Sequence, residues 1–484
     1  MPKKKLKEEK KLRLTKSKKT IILTVIAATL CLVLSSFLPA VHSQTSSNFT
    51  LPCTINAFGS SWDGAISFDL AQTGNGTVNA LVVMDTNGTL LNLRESDSGY
   101  DGANYNIAAD TLMFEGEPST TVAGTVWSTC ATHFWNFITN TTQDFPSVLS
   151  EHDIQYDPVS NTFLTLQDYV RQIGNNSILF DKILQVAPDG TVLWSWDTYN
   201  YIPLSEASPF NETAATKITG QTVEDVTHAN SIDWDYNNGV IYLNLRATDT
   251  FYKIDQATGD IVWACGEFGN FTLLDENGSP VSSLWYHSHD VKEVAPDVFT
   301  MFDNDFDNNT NPDNCHSRMI EVTLNETNMT AYVNWSWEAP TQYWNTFGGA
   351  TVLLPNGDYL GDFGDPTHQL AQNKPWNFND TGAVLVEVNP AGQIVKTFTF
   401  PVGWYIYRVE AITNLSSAPN PTPTPTPTST KTPNVTPHPS VSPSFTPVNP
   451  TNSQATITNA VLVVVIVGIA TLAIILYLRK TRKI

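Results

Sequence analysis

Short apolar runs alternating with polar positions fill the middle of the chain. Each breaks at Asp or Asn beside Gly before a second apolar run that closes on a large side chain. Copies are Leu81-Val-Val-Met-Asp85-Thr-Asn-Gly88, Ile183-Leu-Gln-Val-Ala-Pro-Asp189-Gly190-Thr-Val-Leu-Trp194-Ser-Trp196 and Phe251-Tyr-Lys-Ile-Asp255-Gln-Ala-Thr-Gly259-Asp-Ile-Val-Trp263. Two more run from Met319 to Trp337 and from Val384 to Lys396. The period of two and the residues at the break predict a β-hairpin in each. Long amphipathic helical stretches are missing from this region.

A second phrase opens on a polar residue: His152-Asp-Ile-Gln-Tyr-Asp, His228-Ala-Asn230-Ser-Ile-Asp-Trp and His287-Ser-His289-Asp-Val-Lys, then Gly348-Gly349-Ala-Thr-Val-Leu in the fourth copy. From Thr227 to Leu245 it contains Asn238-Gly239, so it too is a hairpin. Two hairpins make a four-stranded sheet, and the recurrence predicts an all-β, six-bladed β-propeller with polar residues at the inner ends of its blades. The domain spans 110–417, with 44–109 as an N-terminal β segment or first blade.

Composition adds the tails. Residues 1–43 join a lysine-rich start to an apolar run and a small-residue exit, the pattern of a signal peptide or, uncleaved, a signal anchor. Residues 418–456 form a Pro/Thr-rich stalk, 457–478 an apolar transmembrane helix and 479–484 a basic cytoplasmic tail. The expected setting is therefore the cell surface, with the propeller outside and the C-terminal helix in the membrane. Sequons such as those at Asn87, Asn140, Asn270 and Asn325 fit a glycoprotein. Cys53, Cys130, Cys265 and Cys315 permit two disulfides, in pairings left open. Setting aside the ten basic residues up to Lys19 and the four at the C-terminus leaves 12 of the 26 Lys/Arg against 45 of the 47 acids. That balance argues against nucleic acid as a partner.

The order Ala131-Thr-His-Phe-Trp-Asn136, Glu151-His-Asp-Ile-Gln-Tyr156, His228-Ala-Asn230-Ser-Ile-Asp233, His289-Asp290, Phe302-Asp303-Asn304, Ser317-Arg318 and Leu354-Pro-Asn-Gly-Asp358 resembles the bacterial and archaeal arylsulfotransferases that use no nucleotide donor. The resemblance runs from about Asp110 to Val409. It implies a six-bladed propeller that moves a sulfuryl group from a phenolic sulfate ester to a phenol by way of a histidine, with no cofactor and no metal. It places His228 and His289 at catalytic positions and Arg318 at that of the sulfuryl-binding arginine. Asn230, His287, Asn304 and His368 become candidate substrate contacts. On a strand, His228 with Asn230 and His287 with His289 would share a face. His152 reads as structural, and Gly348-Gly349 stands where a further essential histidine is expected. The run from Asp303 to Asn309 reads as an acidic loop rather than a calcium site, since it lacks the glycine and the terminal glutamate. The alternative is a surface propeller that binds glycans or adheres without turnover.

Overall fold

The computed structural model describes residues 50–72, 79–96, 104–120, 129–206, 212–215, 220–305, 316–340, 343–364 and 381–416. The proposed signal, stalk, membrane helix and basic tail lie outside them, as do His368 and Cys315. No helix among the described residues is long and apolar enough to cross a membrane.

The described strands assemble into six antiparallel four-stranded blades, some widened by extra strands. Blade 2 runs from Asn104 to Ser150, blade 3 from Ile154 to Asp197, blade 4 from Ala229 to Gly266, blade 5 from His289 to Glu338 and blade 6 from Thr351 to Pro401. Blade 1 joins the two ends of the domain. Its outer three strands come from Ala65–Gln72, Asn79–Asp85 and Leu90–Ser96, and its innermost strand, Val409–Ile412, pairs with the first of these. The strand Thr54–Ala57 adds to the outer edge of blade 6. The predicted boundary at 109/110 falls inside blade 2, in the turn between its first two strands.

The repeated phrases map onto this plan. The Asp/Asn-Gly hairpins are the outer strand pairs, and the histidine-led phrases open the inner pairs. Each sheet is covered on both faces, which is why its outer hairpins read as nearly unbroken apolar runs. In blade 1, Val82 and Met84 face a core shared with blade 6, whereas Leu81 and Val83 face one shared with blade 2. Four further clusters fill the remaining junctions.

The entry to each inner strand is bent rather than extended. His152, His228 and His287 have φ of 59°, 50° and 55°, and Gly348 has 63°. A left-handed backbone costs a β-carbon-bearing residue roughly 1–2 kcal/mol, so three histidines sit where glycine is the unstrained choice. His287, rather than His289, is thus the backbone counterpart of His228. Neither His228 nor His287 is in a strand, which removes the extended geometry on which the expected shared faces depended.

Carboxylates of the preceding blade hold these bends. Asp181 accepts from the Ala229 amide at 2.9 Å and from the Thr227 hydroxyl at 2.5 Å, and Asp249 accepts from the His287 amide at 2.5 Å. Gly349 is fixed differently. Its φ is 98°, and a β-carbon there would lie 2.5 Å from Cδ1 of Phe302, itself fully buried. Gly349→Ala is expected to lower stability by about 1–3 kcal/mol, to be read from denaturant midpoints at unchanged m-value.

Candidate active site

The bent entries bring His152, His228, His289, Arg246, Tyr407 and Arg408 together where the inner strands begin. The His152 and His228 rings are 5.3 Å apart, and the Tyr407 ring lies 6.2 Å from His152 and 6.0 Å from His289. The histidines and arginines are buried, whereas Tyr407 is only half-buried.

His228 is held by Asp225, whose Oδ2 lies 2.7 Å from Nδ1. A carboxylate there fixes the Nδ1–H tautomer and leaves the lone pair on Nε2. Arg246 follows the second strand of blade 4 on a one-turn 3-10 helix, and its amide donates to the His228 carbonyl at 3.0 Å. Its guanidinium donates to the Thr346 carbonyl at 3.2 Å, reaching from blade 4 to the entry of blade 6.

His289 has both nitrogens engaged. Nδ1 lies 2.7 Å from Oδ1 of Asn304, and Nε2 accepts from the Gly348 amide at 3.1 Å. Asn304 in turn donates to the carbonyls of Asn345 and Gly348. Asn230 donates to the Ser288 carbonyl at 2.8 Å and accepts from Asn244, so it ties blade 4 to blade 5.

Below this layer Arg408, fully buried, lies 3.2 Å from Asp153 and 3.6 Å from Asp290, and donates to Tyr105 and to the Asn230 carbonyl. Burial first, and then the charges of His228, Arg408 and Arg246, hold the His152 imidazole well below its ordinary pKa. Burial, then Arg246, does the same for His289, against the Asn304 contact that pulls upward. Both rings are therefore neutral bases in a positive field, inside a domain that is acidic overall.

Arg318 lies in an ion pair. It pairs with Asp303 across the strand register, with Nε 2.8 Å from Oδ2, and also donates to the Leu284 carbonyl. That ion pair raises its own pKa, and the arginines whose charges act on the imidazoles are Arg246 and Arg408. Asp303 also accepts the Tyr286 and Asp305 amides, so its oxygens are committed within the protein. Among the described residues no cluster of His, Cys, Asp or Glu could hold a metal ion. Cys53 and Cys265 are free thiols, the first pushed up by burial to about 12.

The buried carboxylates that pin the bends carry their own pH dependence. Burial raises Asp69, which accepts the Tyr407 and Arg408 amides, to about 8, and raises Asp181 and Asp249 to about 7. Unfolded, these groups titrate near 4, so at neutral pH the native state binds protons that the unfolded state has lost. Stability contributed in this way is complete below about pH 4 and is lost as pH rises through the folded values. The two depressed histidines act in the opposite sense, but only below about pH 6.5. The melting temperature is therefore expected to fall as pH is raised from about 6.5 to 8. A rise over that window in calorimetric scans would contradict these assignments.

Fold and site together define a six-bladed β-propeller whose inner strand entries gather imidazoles and arginines. The chain belongs to the arylsulfotransferase (ASST) family, whose model matches residues 134–408. At the level of the family that supports aryl sulfotransfer. No curated protein matches the chain. Among solved structures it is similar to a protein of unknown function from Bacteroides caccae, at 12% identity and a TM-score of 0.39, over 73% of this chain and 100% of that one. It is also similar to a periplasmic gluconolactonase from Pseudomonas aeruginosa, at 10% identity and a TM-score of 0.38, over 74% and 100%.

Proposed function

We propose that this protein transfers a sulfuryl group from a phenolic sulfate ester to a phenol through a covalent histidine intermediate, and that His228 is that histidine. The observation that carries the assignment is the Asp225 carboxylate on Nδ1 of His228, beside Arg246. With the proton held on Nδ1, the Nε2 lone pair attacks sulfur. An N–S bond forms as the S–O bond to the aryl group breaks, and the electron pair leaves with the phenoxide. Asp225 stabilises the imidazolium character that develops on His228. Arg246 balances the sulfuryl oxygens, with Arg408 adding to the field from below.

In the second half the acceptor phenol attacks sulfur as the N–S bond breaks and its electron pair returns to Nε2; the acceptor's proton passes to solvent, which supplied the one taken up by the departed phenoxide. His289 acts as a positioning residue in this scheme, because its Nε2 holds the Gly348 amide and its Nδ1 the Asn304 side chain. Retention of fold with loss of chemistry is the weaker reading, since the Asp225–His228 pair and Arg246 are all present.

The test is release of a chromogenic phenol from its sulfate, with and without a phenol acceptor, over roughly pH 5 to 9. Peptide mapping of protein exposed to donor alone should then find the sulfuryl group on the peptide containing His228. Absence of turnover would remove the reading, and a label on His289 would move the nucleophile. The cell-surface placement is proposed on the signal, stalk and apolar C-terminal segment. It is tested by protease shaving of intact cells, where protection of the propeller would overturn it.

A further inference from the structure

Gly348 stands at the fourth bent entry, where the other copies carry His152, His228 and His287. The space its side chain would enter is occupied from the next blade. A β-carbon on Gly348 would lie 3.0 Å from the Tyr407 carbonyl oxygen and 3.1 Å from Cδ2 of its ring. The two strands are also joined there, the Gly349 amide donating to the Tyr407 carbonyl at 2.8 Å. Tyr407 is itself fixed from behind, since Asp69 accepts its amide at 3.1 Å. The bare glycine and the tyrosine are therefore one arrangement, in which the ring fills the place of an imidazole.

The ring's surroundings give it a use. It meets His289 nearly edge-on, at 82°, and His152 at 54°, and Arg408 lies 5.8 Å from its centroid. It is half-buried, whereas His152, His228 and His289 are at most 9% exposed. The Tyr407 side is thus the more exposed side of this group, although the tyrosine's own hydroxyl is buried. A sulfate ester whose sulfur reached His228 would have to place its non-transferred part beyond the imidazoles, on that side.

We infer that Tyr407 is the aryl-selecting residue of this site, its ring forming the wall against which the aromatic ring of donor and acceptor packs. The inference rests on the sulfuryl-transfer reading and adds the source of the preference for aryl over alkyl sulfates. Ring against ring contributes on the order of a few-fold to tenfold in affinity beyond burial alone. The contact is present in substrate and transition state alike, so it appears in KM rather than kcat.

The experiment compares full-length wild type with Tyr407→Phe and Tyr407→Leu. Phe keeps the ring, and Leu keeps apolar bulk without it. For an aryl sulfate, Tyr407→Leu is expected to raise KM about three- to tenfold at nearly unchanged kcat. The ratio of aryl to alkyl sulfate turnover should fall in step, and Tyr407→Phe should match wild type. In parallel, 4-nitrophenol binding is measured by equilibrium dialysis on His228→Gly and on the double variants carrying Phe or Leu at 407, so this arm needs no turnover. Unchanged KM and unchanged binding in Tyr407→Leu overturn the inference. A loss in Tyr407→Phe equal to that in Tyr407→Leu also overturns it, because the hydroxyl and not the ring would be at work. If wild type turns over no aryl sulfate while 4-nitrophenol still binds in a ring-dependent way, the transfer reading fails and the aryl wall stands.

Discussion

His228→Gly is expected to abolish sulfuryl transfer in a propeller that stays folded. Two opposing effects set its stability. At φ of 50° a histidine is strained and a glycine is not, but removing the imidazole leaves the buried Asp225 carboxylate without its partner at 2.7 Å. The role of His228 is therefore read from turnover by folded protein. If it carries the sulfuryl group, kcat/KM should fall by about four orders of magnitude or more in protein that remains folded at the assay temperature. Asp225→Asn leaves the shape intact but releases the Nδ1–H tautomer, so a fall of about 10²–10⁴ in kcat is expected. Arg246→Lys keeps a positive charge and the backbone bond to His228 but loses the planar fork that reaches the Thr346 carbonyl. About 10²–10³ in kcat is the corresponding expectation. Single-turnover assays with a chromogenic aryl sulfate, run beside thermal melts, read all three. Residual turnover near wild type in His228→Gly would assign the chemistry elsewhere, with His289 the next group to test.

The sequence exposes the blades better than the site. Two hairpins per unit were legible because both faces of each sheet are covered, and that covering leaves a long apolar run between turn residues. Closure was not legible. Val409–Ile412 pairs with Ala65–Gln72 across more than 300 residues, and nothing local in either strand names the other. For the same reason Thr54–Ala57 could not be assigned to blade 6.

Histidine-led phrases marked where the inner strands begin, but the period-two rule failed at their first residue. A carboxylate from the preceding blade bends the chain there, and a local reading cannot see Asp181 beneath Ala229 or Asp249 beneath His287. Arg318 drew notice through the family resemblance, and it stands opposite Asp303 in the strand register and pairs with it. Arg246 was missed because a 3-10 turn, not a repeat motif, delivers it to His228. Scarcity was the available clue: with only 11 Lys/Arg between residues 44 and 417, an arginine directly after the alternating strand Val240–Leu245 is a strong candidate for the interior.

Arg408→Met is expected to produce the largest loss of stability of any single substitution considered. The guanidinium is fully buried and joins four groups from four other blades: Asp153, Asp290, Tyr105 and the Asn230 carbonyl. Methionine fills much of the volume, so the cost is electrostatic rather than a cavity. It leaves Asp153 and Asp290 without their arginine, with Lys292 3.6 Å from Asp153 as the remaining cation among the described ion pairs. Breaking a buried pair from one side costs about 3–5 kcal/mol, whereas replacing both partners can be close to neutral. A double-mutant cycle separates these cases. Arg408→Met with Asp153→Asn should recover part of the loss, and additive single effects would show that the two residues do not act as a pair.

The substitution also acts on the site above, since Arg408 is among the charges that depress His152 and His289. Both imidazoles should titrate at higher pH in Arg408→Met, by ring-proton NMR, even in variants stable enough to remain folded. Unmoved titrations with a large loss of stability would confine Arg408 to the scaffold. Moved titrations with unchanged stability would make it a part of the sulfuryl site alone.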